Sequence, residues 1–185
     1  MSRVVLASRS PQRRAILDQI GVEYSVQAPD VEELDAGPPH EVALENAYRK
    51  AAAVAARTSA ALVIGVDTLV SLGARLYGKP ADEDDARTML SALAGRRHTV
   101  VSGVCLIEDG SARTAAASTV VEFRAFDEAL IDWYLASGEW RERAGAYAIQ
   151  GRGAALVAGI EGDFLNVVGL PVTTLLELAP RLLSG

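Results

Sequence analysis

The sequence predicts an α/β fold, a mixed β-sheet with flanking helices that forms two lobes around a cleft. Apolar runs of strand length alternate with helical segments along the whole chain. Half of the 185 residues are hydrophobic, which is enough to bury a sizeable core. Neither a repeat nor a long linker divides the sequence. We therefore expect a single domain over residues 1–185.

The chain begins with a strand at residues 4–6 and a well-marked helix start. Ser10 is predicted as the N-cap and Pro11 as the first helical residue, because serine accepts an unpaired N–H and proline has none to leave unpaired. The free amides at the helix start, together with Arg13 or Arg14, would form an anion site suited to phosphate. The alternative is a capped surface helix with solvated arginines.

A strand and an acidic loop follow in residues 22–40, and a long helix is predicted over residues 41–59. One face of that helix carries Ala43, Ala47, Lys50 and Val54. A lysine on such a face either reaches solvent or serves a site. The loop acids Glu32 and Glu33 are similarly open to two interpretations, a solvated charge run or ligands.

Asp67 interrupts the apolar strand formed by residues 61–66. Burying a lone carboxylate costs several kcal/mol unless it is paired or bound to a metal. A turn centred on Gly73 would place Lys79 opposite Asp67. This pair is either a simple cross-strand ion pair or an ammonium held over a ligand.

The second half of the chain continues the mixed order of elements. Further helices are predicted at residues 81–95, 126–138 and 171–183, and further strands at 98–108 and 118–126. Residues 151–156 lack the third glycine of a dinucleotide fingerprint, and 154–160 read as a strand, which excludes Rossmann binding. The sequence also lacks a Walker A motif.

Polar residues in this half each have two interpretations. Gln150 either contacts a base edge or is a strand-end amide, and Asn166 either contacts a ligand or bonds its own loop. His40 and His98 have no evident triad partner and are expected at the surface or at strand ends.

Composition excludes several classes of protein. A formal net charge of -6 argues against a nucleic-acid surface or a polybasic membrane contact. The sequence has neither an apolar run of about 18 residues nor a signal-peptide pattern, so we expect a cytoplasmic protein without a membrane partner. The single cysteine, Cys105, lies in an apolar strand and is expected in the core, which excludes disulfides and cysteine-based zinc sites.

The cations and acids form a coherent chemical set. Arg13, Lys50 and Lys79 suit a polyphosphate, and carboxylates such as Glu33 and Asp67 suit the divalent ion that accompanies it.

Six stretches in order, LASRSPQRRAIL, NAYRKA, GVDTLV, GKP, GAYAIQGRGA and NVVGLP, resemble the Maf family of nucleoside triphosphate pyrophosphatases over nearly the whole chain. The resemblance implies a cytoplasmic, homodimeric enzyme with a fold related to inosine triphosphate pyrophosphatase. It also implies nucleotide-pool housekeeping, in which Mg²⁺ or Mn²⁺ supports cleavage of a nucleoside triphosphate to the monophosphate and pyrophosphate. The branch it indicates prefers dTTP and UTP.

The resemblance also implies roles for single residues. The catalytic set is Asp67, Lys50, Lys79 and Glu33. The substrate-binding set is Ser8, Gln12, Arg13, Thr68 and Gln150. Asp67 and Glu33 are the implied metal ligands, and Asp67 is either the general base or only a ligand.

One position departs from the family pattern. Gln12 stands where the pyrimidine-selective branch carries the first arginine of S-P-R-R, which removes a charge and a planar fork. Arg14 is a candidate to compensate, although it points about 100° away on a helix. Two other functions remain open, a regulatory binding protein that inhibits septum formation and a pyrophosphatase for modified or purine nucleotides.

Overall fold

The computed structural model describes residues 4–183 and confirms a mixed α/β fold. The strands are Val4–Ala7 (β1), Ser25–Val26 (β2), Leu62–Leu72 (β3), Arg75–Tyr77 (β4), Arg97–Glu108 (β5), Ser111–Phe123 (β6) and Val157–Glu161 (β7). The α-helices are Pro11–Gln19 (α1), Pro39–Ala55 (α2), Glu83–Leu93 (α3), Glu128–Leu135 (α4), Phe164–Val168 (α5) and Val172–Leu178 (α6). Short 3₁₀ helices occupy Ala144–Ala146 and Gly151–Leu156.

All seven strands belong to one sheet in the order β2-β1-β3-β5-β6-β7, with β4 paired to β3. Strand β1 is parallel to β2 and β3, and the remaining pairs are antiparallel. The long strands β3 and β5 form the centre, where Asp67 lies opposite Gly103.

Helix α2 packs directly on β3 and β5 because glycines leave room for it. A Cβ added at Gly65 would fall 2.3 Å from the carbonyl oxygen of Ala47, and one at Gly103 would fall 2.2 Å from that of Ala43. The helix backbone therefore touches the sheet on the face that carries Asp67.

Two large hydrophobic clusters pack against different parts of the central strands. Val66 and Val104 pack in a cluster with residues of α1 and α6, whereas Val70 and Val100 pack with residues of α3 and α4. Strands β3 and β5 run through both clusters, and Asp67 lies between Val66 and Val70 along β3 but on the opposite face of the sheet, toward α2.

The local signals at helix starts are confirmed. Ser10 is the N-cap of α1 and its side chain accepts from the backbone N–H of Arg13, with proline at the first helical position. Cys105 is fully buried in β5, where burial raises the pKa of its thiol to about 11.

None of the helices described over residues 4–183 is long and apolar enough to cross a membrane.

The strand predicted at 154–160 is wrong in its first part. Residues 151–156 form a 3₁₀ helix, and the strand begins at Val157. The carboxylate of Glu139 accepts hydrogen bonds from the backbone N–H groups of Arg152 and Gly153 at 3.0 and 3.2 Å. This tertiary contact stabilises a 3₁₀ helix in a segment whose last residues were predicted to begin a strand.

Candidate active site

A cavity of about 780 Å³ opens where α1, the loop over residues 27–38, α2, β3 and the segment 142–150 meet. Its walls contain every residue of the predicted catalytic and substrate-binding sets. These are Ser8, Gln12, Arg13, Glu33, Lys50, Asp67, Thr68, Lys79 and Gln150. The structure therefore brings together residues spread over 143 positions of sequence, from 8 to 150.

Lys50 lies between two carboxylates. Its Nζ donates to Asp67 Oδ1 at 2.5 Å and lies 2.9 Å from Glu33 Oε1. Taken as whole residues, Lys50 and Asp67 are each 6% exposed. The half-exposed side chain of Glu33 approaches Lys50 from the acidic loop. Lys50 thus belongs to the site, and neither it nor Glu33 has the purely solvated role that the sequence left open.

Asn46 is a buried site residue that the sequence analysis missed. It lies one helical turn before Lys50 on α2, and its Nδ2 donates to Asp67 Oδ2 at 3.1 Å. A signal was present, because a polar side chain at the i−4 position from Lys50 lies on the same helix face.

Arg13 is buried in the cavity wall. Its Nε donates to the carbonyl oxygen of Gly169 at 2.9 Å, Nη1 to Ser8 Oγ at 3.1 Å and Nη2 to Thr68 Oγ1 at 3.1 Å. Burial lowers the pKa of Arg13, and the charges of Asp67 and Glu33 oppose that shift. These bonds use three of the five guanidinium donors and leave one N–H on each terminal nitrogen.

The first turn of α1 forms another wall. Gln12 is half-buried there, and its Oε1 accepts from Ser10 Oγ at 3.0 Å. Arg14 is exposed and does not line the cavity, so the idea that it compensates for Gln12 is wrong. The two arginines of this region that do line the cavity are Arg9 and Arg13.

The expected pairing of Lys79 with Asp67 is also wrong. Leu72 pairs with Arg75 in the hairpin and β4 ends at Tyr77, so the ladder stops before it reaches Lys79. Lys79 Nζ instead donates to Glu142 Oε2 at 2.8 Å on the exposed rim of the cavity. This hydrogen bond, with the charges of Lys79 and Arg9, lowers the pKa of Glu142.

The segment 142–150 carries Gln150, which is exposed and lines the cavity immediately before the second 3₁₀ helix. In the same segment, Tyr147 Oη lies 2.9 Å from His98 Nε2, within hydrogen-bond distance. His98 is at the start of β5 as expected, but it is buried, and burial lowers its pKa to about 4.

Two other polar residues do not line the cavity themselves, although residues 167–169, which follow Asn166, do. Asn166 is fully buried and donates to the Val100 carbonyl and to Thr119 Oγ1, so its bonds hold α5 to the sheet. His40 is exposed, as predicted, and its Nε2 lies 2.8 Å from Ser118 Oγ.

The donor set fits a divalent ion that shares its coordination with a substrate. Asp67 and Glu33 contact the same ammonium, which places two hard oxygen ligands on one cavity wall. Residues 4–183 contain no group of three or more His, Cys, Asp or Glu side chains arranged to hold a metal. Mg²⁺ commonly uses one or two carboxylates and completes its shell with water and substrate phosphates.

Comparison with known proteins identifies the family. The model of the Maf-like proteins matches residues 3–182. The chain belongs to the Maf-like family. A dTTP/UTP pyrophosphatase of Symbiobacterium thermophilum is 44% identical over 93% of this chain and 90% of its own. Proteins with the same name from Gloeobacter violaceus and Pyrococcus furiosus are 46% and 42% identical and are covered over 94% of their length.

The alignment with a crystal structure of a Vibrio cholerae protein covers 74% of this chain and 72% of the Vibrio protein. The TM-score is 0.39 at 11% identity, which is below the level that indicates a shared fold.

Proposed function

We propose that this Maf-like protein hydrolyses a nucleoside triphosphate, with dTTP and UTP preferred, to the nucleoside monophosphate and pyrophosphate. The carrying observation is the buried ammonium of Lys50 between Asp67 and Glu33, in a cavity whose walls also hold Arg13 and Lys79. The names of the 41–48% identical relatives support the same activity and substrates.

In the proposed reaction a water molecule attacks the α-phosphorus of the triphosphate. A new P–O bond forms to the water oxygen, the bond to the β-phosphate oxygen breaks, and pyrophosphate leaves. Asp67 takes the proton from the water or orients it as a metal ligand. Lys50, Lys79 and the two remaining N–H donors of Arg13 neutralise charge that develops on the phosphate oxygens.

The metal proposed for this reaction is Mg²⁺ or Mn²⁺, held by Asp67 and Glu33. When bound, the ion supplies Lewis acidity toward the phosphate oxygens. Ser8 and Thr68, which also line the cavity, accept hydrogen bonds from the Arg13 guanidinium and hold it in place. Gln12 and Gln150 lie on the walls where the triphosphate and base would contact them.

The test is product analysis with purified protein. We expect pyrophosphate and dTMP or UMP from dTTP or UTP in the presence of Mg²⁺ or Mn²⁺, and no turnover with a chelator. Release of orthophosphate with a nucleoside diphosphate would contradict the proposed bond cleavage. A panel that adds CTP, GTP and inosine triphosphate ranks the substrates, and a preference for inosine triphosphate would replace the pyrimidine assignment.

Three sequence-based expectations accompany this proposal. A homodimer, a cytoplasmic location and a single domain over residues 1–185 all stay predictions.

A further inference from the structure

We propose that Asn46 is a positioning residue that sets the placement of Asp67 and Glu33 relative to one another. The inference rests on the proposed function, because it assigns Asn46 a part in the same hydrolysis.

The Asn46 amide joins the acidic loop to the central strand. Its Oδ1 accepts from the Leu34 backbone N–H at 2.7 Å, and its Nδ2 donates to the Leu34 carbonyl at 3.0 Å and to Asp67 Oδ2 at 3.1 Å. Asn46 is 2% exposed. One planar group therefore uses its acceptor and both of its N–H donors on two segments that are distant in sequence.

On the loop side, the contact holds the backbone beside Glu33. No helix or strand covers residues 27–38, so contacts from α2 decide where this part of the loop lies. Asn46 bonds both the N–H and the carbonyl of Leu34, the residue that follows Glu33. The Glu33 side chain is half-exposed and depends on that backbone for its approach to Lys50.

On the strand side, the contact fixes the carboxylate plane of Asp67. Lys50 donates to Oδ1 and Asn46 donates to Oδ2, so both oxygens are held from α2. The remaining lone pairs are oriented by these two donors. A group that must present a carboxylate to water or metal benefits from this restraint, because small displacements of reacting groups slow catalysis.

Only an amide of this length meets all three demands. Aspartate has the same shape but no donor, so one of its oxygens would face both the Leu34 carbonyl and Asp67 Oδ2. Alanine removes the contacts without adding charge. Asn46→Asp and Asn46→Ala therefore separate the loss of donors from the addition of a carboxylate.

The matched control is Thr119→Val, since Thr119 is also buried, its hydroxyl also bonds both the carbonyl and the N–H of one residue in a distant segment, Asp163, and it does not line the cavity. We expect both Asn46 variants to lower kcat about tenfold to a hundredfold, with KM within about twofold of the unmodified protein. The control should lose thermal stability while its kcat per folded molecule is retained. Equal kcat in the Asn46 variants and the control, or a loss in Asn46→Asp without one in Asn46→Ala, would overturn the inference.

Hydrogen exchange tests the positioning role without turnover. Asn46→Ala should accelerate exchange of the Leu34 amide and leave the β3 and β5 amides protected. Unchanged protection of Leu34 would overturn the role of Asn46 even if activity fell. The proposed function fails separately, if the unmodified protein releases no pyrophosphate from any nucleotide tested.

Discussion

Lys50 Nζ and Asp67 Oδ1 are 2.5 Å apart, and each side chain is only 8% exposed. The pair joins helix α2 to strand β3 at the point where helix and sheet backbones touch. Charges so deeply placed need each other, because removal of one partner leaves the other buried without compensation.

Replacement of Lys50 by methionine should therefore destabilise the protein by about 3 kcal/mol. The measurement is urea unfolding at pH 7. Lys79→Met is the matched control, since its ion pair with Glu142 is exposed and such pairs contribute at most about 1 kcal/mol. Equal losses in the two variants would mean that the Lys50 ion pair does not stabilise the fold.

Asp67→Asn should lower kcat by at least about a hundredfold, whether Asp67 is the general base or a metal ligand. The shape of the side chain is kept, but its new NH2 group faces a donor, either Asn46 Nδ2 or Lys50 Nζ, so turnover is compared per folded molecule. Pyrophosphate release from dTTP is the measurement. Glu108→Gln, which changes a remote exposed acid, serves as the control, and near-normal turnover in Asp67→Asn would remove Asp67 from the reaction.

Gln12→Arg should lower KM for dTTP or UTP without changing the products. The first turn of α1 lines the cavity, and a well-formed charge-assisted hydrogen bond there is worth about 1.5 to 3 kcal/mol. Arg14→Gln is the control on the same helix, outside the cavity. A KM that stays constant in Gln12→Arg would show that residue 12 does not contact the nucleotide.

Gln150→Ala should reduce discrimination among dTTP, UTP, CTP and GTP, because the variant lacks the amide that would hydrogen-bond the edge of the base. The ratio of kcat/KM values across these four nucleotides is the measurement. If the ranking survives intact, Gln150 does not read the base. The assignment to pyrimidines would then need another physical basis.

His98 should make stability depend on pH in the acid range. Burial lowers its pKa from 6.5 to about 4, so the unfolded chain binds a proton at a higher pH than the folded one. The stabilising effect is complete above pH 6.5 and is lost as pH falls toward 4. The expected loss is about 2 to 3 kcal/mol between pH 7.5 and 4.5.

The comparison is with His98→Gln, which keeps a polar group facing Tyr147 but does not titrate. Urea unfolding of both proteins at several pH values isolates the histidine contribution, because the other groups are shared. If the free energy of unfolding depends on pH in the same way in both proteins, His98 does not make the predicted contribution.

The sequence by itself predicted most of the long strands and helices and the polar residues that line the cavity. The helix start at Ser10 follows from its side-chain cap, and apolar spacing identified the helix face that carries Lys50. Asp67 was recognisable because a carboxylate in an apolar strand needs a partner. These signals act over a few residues, so local spacing suffices to see them.

Only the tertiary structure decided which groups meet. Asp67 pairs with Lys50 instead of Lys79, because α2 packs against the glycines of β3 and β5 while β4 ends before Lys79. Tertiary packing also decides the hydrogen bonds of Asn46 to the acidic loop. It likewise decides the 3₁₀ helix at residues 151–156, whose backbone N–H groups Glu139 accepts from. Such contacts join positions 12 to 21 residues apart through helix-to-sheet and loop-to-helix packing. Local periodicity determines the face on which a side chain lies, but close approach of backbones selects its partner.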